Sequence, residues 1–452
     1  MQLEKERKQS LHDELAKEHI GPAAELKLAK AADPKAQADP PGTKILSTSQ
    51  IMSLDPKHDQ EIKQKLNDAA KAYFQIPFEQ CTPLQKAETI QRALKDPDFF
   101  NFQYDKNYNG PPRTVEETYT SEPKSGNCDE LSRLFLAIAS KEYVDLKNLS
   151  QFYVTFKSET TGNEVGHTAI FYIQGSVVFI DPGLNEFTPL DGSDSFPKKF
   201  KSPEETVKDP DFKKYILGLA DRATDEKGPF VIEEIGYVKG SANADVFYHF
   251  NYGNYMTENA TKKEDWEKAI EYFNLVIAKG VSTALVYSRL GQAYLHATNY
   301  EKAEQFCTRA LEKRGDAQDY ANRGFARFKS GKYERARQDF EEQLKLEPDN
   351  IDARVKLGAT HVDLAFFCME KKDYNQAYEH LQKAKLHLFT ALRSGTIEDT
   401  EMLFDNLEAF FTNQYTTLIE LKKTDETNEL KQLYNEARGL GFKSEKIDDL
   451  FK

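Results

Sequence analysis

A repeated pattern of small residues in the C-terminal half constrains the fold of this chain more than any other feature. Alanines recur at positions 269, 303, 336 and 377, and glycines recur at positions 291, 324 and 358. The alanine spacings are 34, 33 and 41 residues. Small side chains let two helices approach closely, so a period near 34 residues predicts stacked helix pairs. The long last spacing predicts that the two helices there are extended by about two turns.

The central units, residues 284–348, resemble the tetratricopeptide repeat family. One unit reads Tyr287-x2-Leu290-Gly291-x2-Tyr294, and the next unit places its glycine 33 residues further on, at Gly324. This resemblance implies an all-α solenoid over residues 245–390 whose groove binds a protein partner. Residues 391–452 contain two more predicted helices, which we expect to cap the solenoid.

Some tetratricopeptide domains grip a C-terminal carboxylate with a set of Lys, Asn and Arg side chains in the groove. The resemblance places Asn322 and Lys356 in such a set. Asp352 stands where a basic residue is expected, and Ser288 replaces another member. These departures argue against a chaperone-type carboxylate clamp.

Composition excludes several classes of protein. The chain has 452 residues with 61 basic and 74 acidic side chains, a net charge of −13, which disfavours a nucleic-acid partner. No apolar run reaches the roughly 18 residues of a membrane span. The four cysteines have no metal-like spacing, so we expect neither a metal nor a cofactor.

The start of the chain does not read as a Sec-type signal, because no apolar stretch follows its first charged residues. We therefore expect a cytoplasmic protein, and a secretion route without such a signal remains open. Residues 1–42 are rich in Lys, Glu, Ala and Pro and predict a disordered tail.

Residues 43–244 predict a compact α+β domain. The predicted helices cover residues 58–74, 82–96, 127–142 and 203–224, and the predicted strands cover residues 151–156, 166–173, 177–181 and 230–238. The helix that starts near residue 127 is apolar over most of its length, so we expect it to be buried.

Three residues of this domain form a catalytic pattern. Cys128 opens the apolar helix, His167 begins a strand, and Asp181 ends the next strand. A thiol nucleophile, a base and a residue that orients the base are the groups that acyl transfer needs. The order, spacing and element types together predict a Cys-His-Asp triad.

The sequence also indicates how the thiol is activated. Asn127 is a good N-cap, and a helix N-terminus favours the thiolate at Cys128. Asp129 and Glu130 in the same turn oppose a further negative charge. We therefore expect His167 to supply much of the activation as an imidazolium.

The hairpin between the two strands offers a geometric test. Asp181 can orient His167 only if both side chains point to one face of the sheet. A two-residue turn at Gln174-Gly175 puts them on opposite faces, whereas a three-residue loop over 173–175 pairs them directly. We predict that loop, or a bulge of the same parity, with Gly175 in the left-handed conformation.

The sequence Ser125-Gly126-Asn127-Cys128-Asp129-Glu130-Leu131, together with Gly166-His167-Thr168-Ala169 and Ile180-Asp181-Pro182, resembles the transglutaminase-like superfamily, a branch of the papain-like cysteine enzymes. The resemblance implies that Cys128 is the nucleophile, His167 the general base and Asp181 its orienter. It implies attack on an amide or ester carbonyl through a thioester. The backbone N–H of Cys128 is the one oxyanion donor that we can name.

The chain departs from animal transglutaminases at two positions. Asp129 stands where they have a tryptophan, and Ala169 stands where an aromatic residue is frequent. These departures favour hydrolysis over cross-linking. Arylamine N-acetyltransferases share the Cys-His-Asp order and the Gly126-x-Cys128-x-Glu130 start, but the arginine before that motif is absent here.

We therefore predict a papain-like or transglutaminase-like α+β domain joined to an all-α tetratricopeptide solenoid. The predicted function is thiol-dependent amide hydrolysis or acyl transfer on a protein or peptide, with the repeats recruiting the substrate or a partner. One alternative is an inert scaffold whose repeats alone act. Another is a transamidase or an N-acetyltransferase-like enzyme.

Overall fold

The fold is described from a computed structural model. The described residues are 45–106, 108, 110–141, 144–193, 196–224, 226, 228–239, 243–395 and 400–451, so the predicted tail over 1–42 lies outside them. The chain divides into two compact units. The N-terminal unit comprises the residues up to Thr261 together with Lys268–Ser282, and the C-terminal unit comprises Lys262–Glu267 together with Thr283–Lys452.

The described N-terminal unit begins with helices. They are α1 (Thr48–Met52), α2 (Asp59–Phe74), α3 (Pro83–Lys95), α4 (Val115–Thr120) and α5 (Cys128–Ala139). Helices α3, α4 and α5 each start at a capping box, with Thr82, Thr114 and Asn127 as the N-cap residues. In a capping box two backbone N–H groups at the helix start are satisfied by side chains, which explains why these helices begin at these residues.

Two short strands, β1 (Gln103–Tyr104) and β2 (Ser125–Gly126), pair in parallel immediately before α5. Tyr104 is the register partner of Gly126, and the N–H of Asp105 donates to the Gly126 carbonyl at 3.0 Å. This pairing fixes the segment that leads into Cys128.

An antiparallel sheet forms the centre of the N-terminal unit. Its strands are β3 (Leu149–Ser158), β4 (Glu164–Ile173), β5 (Val177–Asp181), β6 (Glu186–Ser193), β7 (Phe196–Lys199) and β8 (Phe230–Lys239). The spatial order is β7-β6-β5-β4-β3-β8. Strands β3 to β7 follow one another as neighbours, and β8 returns to pair with β3.

Alternate residues of the central strands join two different apolar cores. Ile170 and Ile180 pack in the core that contains Phe135 of α5. Phe171 and Phe179 pack in a second core, where their rings lie 5.7 and 5.8 Å from the ring of Phe212. The strands are therefore buried on both faces, which explains their nearly continuous apolar character.

The predicted elements before β6 agree with the structure within a few residues, but β6 and β7 were not predicted. Pro189 and Gly192 interrupt the β6 signal, because these residues are uncommon in strands. The predicted helix over 203–224 is three helices, α6 (Pro203–Lys208), α7 (Pro210–Leu217) and α8 (Ala220–Ala223). Asp209 ends α6 and caps α7 by accepting hydrogen bonds from two backbone N–H groups. The structure shows an α+β unit, and its papain-like or transglutaminase-like class stays a prediction.

Helices make up the rest of the described chain. They are α9 (Val246–Glu258), α10 (Lys263–Ala278), α11 (Ala284–His296), α12 (Tyr300–Lys313), α13 (Ala317–Lys329), α14 (Tyr333–Leu346), α15 (Ile351–Glu370), α16 (Tyr374–Ser394), α17 (Thr400–Glu420), α18 (Thr424–Gly439) and α19 (Glu445–Leu450). Helices α11 to α16 form three successive pairs. The two predicted terminal helices are α17 and α18, and the short α19 follows them.

The prediction of an extended last pair is confirmed. Helices α11 and α13 have 13 residues, whereas α15 has 20; α12 and α14 have 14 residues, whereas α16 has 21. Seven extra residues are about two helical turns. Among the described residues, no helix is both long enough and apolar enough to cross a membrane.

The repeated small residues lie where helices of a pair touch. A Cβ built on Gly291 would lie 2.5 Å from Cys307 Sγ, and one built on Gly324 would lie 2.9 Å from the Phe340 ring. Ala303 is fully buried. The interpretation of the repeat as a close-packing pattern is therefore confirmed.

The compact units divide later than the predicted boundary between residues 244 and 245. Helix α9 belongs to the N-terminal unit: Asn251 Nδ2 donates to Asp129 Oδ2 at 3.4 Å, and the Arg133 guanidinium lies 5.2 Å from the Tyr248 ring. Lys279 Nζ forms an ion pair with Asp245 Oδ1 at 2.8 Å. The predicted boundary was placed where the repeat pattern begins. These tertiary contacts instead keep α9 and most of α10 in the N-terminal unit.

We expect Gly324→Ala to destabilise the C-terminal unit by about 1–2 kcal/mol, because the overpacking against Phe340 outweighs the better helix propensity of alanine. Urea unfolding followed by fluorescence of Trp266, the single tryptophan of the chain, measures this unit. The control is Gly315→Ala, because a Cβ there meets nothing within 4 Å. Equal midpoints for the two variants would contradict the close-packing interpretation.

Candidate active site

Cys128 is the first residue of α5 and is half-buried. Asn127 caps the helix: its Oδ1 accepts from the Glu130 N–H at 2.9 Å, and Glu130 Oε2 accepts from the Asn127 N–H at 3.2 Å. The predicted N-cap and first helical residue are confirmed. The sulfur therefore belongs to a helix terminus whose dipole favours a negative charge.

The two acids beside Cys128 are paired with arginines, which the sequence reading did not anticipate. Arg113 donates to Glu130 Oε2 at 2.6 Å and to Glu130 Oε1 at 3.1 Å. Arg133 Nε donates to Asp129 Oδ2 at 3.0 Å, and both of these side chains are buried. Burial raises the pKa of Asp129, although Arg133 opposes that shift. The first turn of α5 therefore repels a thiolate less than its two acidic residues alone would.

Only one of these two ion pairs could be predicted from the sequence. Asp129 and Arg133 are four residues apart on one helix, a spacing that signals an ion pair. Arg113 lies in the polar loop before α4 and carries no such signal. Its side chain also donates to the Ser125 carbonyl at 3.0 Å, so it ties the loop to the residues that lead into Cys128.

His167 and Asp181 meet in the interior of the N-terminal unit. His167 Nε2 lies 2.6 Å from Asp181 Oδ2, and the two side chains are 3% and 0% exposed. Asp181 Oδ1 accepts the Leu184 N–H at 3.0 Å. Both carboxylate oxygens are therefore engaged, which fixes the orientation of the imidazole.

The β4–β5 hairpin has the predicted parity but a different register. Ile173 pairs with Val177, so the three-residue loop is 174–176 rather than 173–175. Extending this register places Asp181 opposite Ala169, diagonal to His167 and on the same face. Gly175 adopts the predicted left-handed conformation, with φ of 75°. The one-residue shift keeps the side-chain parity that the pair requires.

The other ring nitrogen of His167 is not used by Asp181. Nδ1 is buried and has no hydrogen-bond partner of standard geometry among the described residues. Burial opposes the imidazolium, but the charges of Asp181 and Cys128 and the hydrogen bond to Asp181 raise the pKa of His167 to about 10. Cys128 and His167 therefore lie within interaction range, and contacts of this kind are often long before substrate binds.

Two further residues contact the His167–Asp181 pair and were not predicted from the sequence. Gln91 of α3 is fully buried, and its Nε2 donates to the Asp181 carbonyl at 3.0 Å. The Tyr104 ring stands edge-on to the His167 ring at 6.3 Å, and its hydroxyl donates to the Ala223 carbonyl at 2.8 Å. Neither residue belongs to a sequence motif, so only the contact of α3 with β5 and that of β1 with β4 reveal them.

The backbone N–H of Cys128 is available as an oxyanion donor. Two later donors of the same turn are used otherwise: the Glu130 N–H goes to Asn127 Oδ1 and the Leu131 N–H goes to the Asn127 carbonyl. No hydrogen bond from the Cys128 N–H is formed inside the described part of the chain. A free N–H at a helix N-terminus is the type of group that stabilises a developing oxyanion.

The groove residues predicted from the repeats have partners of their own. Asn322 is buried and its Oδ1 accepts from Gln318 Nε2 at 3.0 Å. Lys356 Nζ forms an ion pair with Asp352 Oδ2 at 2.5 Å, and it lies 5.5 Å from the Phe325 ring. Asp352, the departure noted in the sequence, therefore competes for the charge of Lys356. Binding of a carboxylate by these residues stays a prediction.

The buried His167–Asp181 pair predicts a pH dependence of stability. The pKa of folded His167 lies above the ordinary 6.5, so its contribution is complete below pH 6.5 and is lost as the pH rises toward about 10. In a Cys128→Ala background, which removes the second charge, we expect Asp181→Asn to flatten this dependence by about 2–4 kcal/mol. Urea unfolding followed by far-UV circular dichroism at several pH values measures the effect. If the free energy of unfolding varied with pH in the same way in Cys128→Ala and in the Cys128→Ala, Asp181→Asn double variant, the charge pairing of His167 with Asp181 would be refuted.

Comparisons with known proteins place repeats in the C-terminal part of the chain. Two family models, both described as tetratricopeptide repeat, match residues 259–319 and 320–350. The chain is similar to serine/threonine-protein phosphatase 5 of Rattus norvegicus, with 31% identity over 21% of this chain and 19% of that protein. It is also similar to RNA polymerase II-associated protein 3 of Mus musculus, with 33% identity over 21% of this chain and 15% of that protein.

Among solved structures, the second tetratricopeptide domain of human RPAP3, determined by NMR in complex with an HSP70 peptide, is 34% identical to this chain. It covers 26% of this chain and 94% of its own, with a TM-score of 0.24, a value at which the likeness carries no structural argument. The chain spans less than a fifth of the length of the two curated relatives. What the comparisons show is that this chain carries tetratricopeptide repeats over residues 259–350.

Proposed function

We propose that the chain binds a protein or peptide partner through its tetratricopeptide repeats and that its N-terminal unit performs thiol-dependent acyl chemistry. The repeat family supports the first part, because stacked helix pairs of this kind present an extended concave surface to a partner. The second part rests on the arrangement of Cys128, His167 and Asp181. The proposed substrate is an amide of a protein or peptide.

The observation that carries the enzymatic part is the use of the two His167 nitrogens. Nε2 is held by Asp181 at 2.6 Å, which leaves Nδ1, buried and without a hydrogen-bond partner among the described residues, for the thiol. A histidine oriented in this way takes the thiol proton and keeps it as an imidazolium beside the thiolate. The same carboxylate–imidazole orientation recurs in unrelated nucleophilic enzymes.

The chemistry follows from this geometry. The Cys128 sulfur attacks the carbonyl carbon, a C–S bond forms, and the carbonyl oxygen becomes an oxyanion beside the Cys128 N–H. The C–N bond then breaks as the imidazolium gives its proton to the leaving amine, and a thioester remains. His167 next removes a proton from water, and the resulting hydroxide attacks the thioester carbonyl carbon. The C–S bond then breaks, which regenerates the Cys128 thiolate and releases the carboxylic acid.

Hydrolysis fits this site better than cross-linking. An amine acceptor in transglutaminases passes aromatic side chains, and here Asp129 and Ala169 stand at the two corresponding positions. Asp129 is buried, and its Oδ2 accepts from Arg133 and Asn251. It therefore offers no aromatic wall for an acceptor amine.

A second candidate function is that of an adaptor whose N-terminal unit is inert. One observation favours it: both family models fall within the repeats, at residues 259–350. On this proposal the buried His167–Asp181 pair is structural, and partner binding is the whole activity. The two candidates differ in the reactivity of Cys128.

A thiol-directed probe separates the enzyme from the adaptor. We expect the full chain to be labelled at Cys128 between about pH 6 and pH 9, the range of a perturbed thiol. Replacing the base, as in His167→Gln, should slow labelling about 10²-fold or more. Mass spectrometry of the labelled peptide gives the rate.

Cys81→Ala is the matched control, because Cys81 is a second cysteine of the same unit and its pKa is raised by burial. Labelling should be unchanged in that variant and absent in Cys128→Ala. A Cys128 rate equal to that of a free thiol throughout this pH range would favour the adaptor.

Hydrolysis and transamidation are distinguished by an acceptor amine. We expect a labelled primary amine to be incorporated into glutamine-bearing protein at less than about a tenth of the rate at which ammonia is released, because no aromatic acceptor wall is present. Fluorescence and ammonia assays on one reaction give both rates, with Cys128→Ala as the blank. Each thioester formed from glutamine releases one ammonia, whether water or the amine resolves it, so incorporation at a rate close to that of ammonia release would identify a transamidase instead.

A further inference from the structure

Lys95 is a cation beside the triad that the proposed mechanism does not use. It is the last residue of α3 and is half-buried. Gln91, one helical turn earlier on the same face, donates to the Asp181 carbonyl, so this face of α3 is directed at the triad. Lys95 Nζ lies 6.0 Å from the centre of the Tyr104 ring, whose other neighbour is the His167 ring.

The ammonium of Lys95 has no counter-ion among the described residues. Within the part of the chain that the structure describes, its Nζ forms neither an ion pair nor a hydrogen bond, although the sequence holds 74 acidic residues against 61 basic ones. The neighbouring acids have other partners. Asp181 binds His167 and the Leu184 N–H, and Asp96 accepts the Tyr73 hydroxyl at 2.7 Å.

A cation that is partly removed from water without a counter-ion is destabilised. Burial lowers the pKa of Lys95 to about 8, and the charge of Asp181 opposes this shift only in part. An anion placed beside the ammonium would restore its lost solvation. Proteins rarely leave such a charge uncompensated unless a ligand supplies the missing partner.

We propose that Lys95 and the Tyr104 ring form an anion subsite that receives a carboxylate of the substrate attacked by Cys128. The inference rests on the proposed function, and it names the substrate class as an acidic peptide or acyl group. The ammonium supplies the charge, and the face of Tyr104 packs against the carbon chain that carries the carboxylate. The His167 ring is in edge contact with the same tyrosine, at 6.3 Å between ring centres, so the subsite adjoins the reacting centre.

The test uses alkylating reagents that differ only in a distal charge. N-iodoacetyl-glycine and its glycinamide analogue report a chain-terminal carboxylate. N-iodoacetyl-glutamic acid α-amide and the corresponding glutamine compound report a side-chain carboxylate. For each pair we measure the ratio of the Cys128 alkylation rates, charged over neutral, in the full chain.

We expect the charged reagent of at least one pair to react about three- to five-fold faster, the range for a partly exposed charge pair. Lys95→Met should remove this preference, expressed as the charged-over-neutral ratio within the same variant, and Lys95→Arg should keep it. A preference in the glycine pair would identify the substrate carboxylate as a chain terminus, and a preference in the glutamate pair would identify it as an acidic side chain. The preference should also fall as salt is added.

Lys71→Met is the matched control, because Lys71 lies in the last turn of α2 and its loss changes the net charge equally. A charge ratio that is the same in wild type, Lys95→Met and Lys71→Met would overturn the subsite. Slow alkylation by the neutral reagents would instead count against the activated thiol. The two failures are therefore distinguishable.

Discussion

The buried contact between His167 and Asp181 is the interaction on which the candidate site depends. A carboxylate with no exposed surface is tolerated in a folded protein only when hydrogen bonds and an opposite charge replace its lost water. Here the imidazole and the Leu184 N–H provide them, at 2.6 and 3.0 Å. The ring is thereby held in one orientation, with its remaining nitrogen left for the thiol.

The start of α5 follows the same principle of compensation. Two acidic residues directly after Cys128 are each matched by an arginine, one from the same helix and one from a preceding loop. Without Arg113 and Arg133 the first turn would carry two unpaired buried carboxylates, which would both destabilise the helix start and oppose a thiolate. Because the two arginines offset the charges of Asp129 and Glu130, the acidic sequence after Cys128 is compatible with the proposed thiolate.

Much of the architecture could be predicted because it repeats or alternates along the chain. The alanine spacing predicted the helix pairs and even the two added turns of α15 and α16, since the interface between paired helices must recur at each repeat. Strand β6 was missed, because Pro189 and Gly192 weaken a signal that depends on β propensity. The two compact units divide after α9 rather than at the predicted boundary after residue 244. Asn251 and Tyr248 of α9 contact α5, and the repeat spacing in the sequence gives no sign of these contacts.

The sequence by itself determined the identity and order of Cys128, His167 and Asp181, the cap at Asn127, and the parity that places His167 and Asp181 on one face. These are local properties, set by helix-capping chemistry and by the two-residue period of a strand. Only the tertiary structure decided the hairpin register, the arginine partners of Asp129 and Glu130, and the approach of Gln91, Tyr104 and Lys95 to the triad. Those contacts join residues far apart in the chain, and they form only when separate elements pack together.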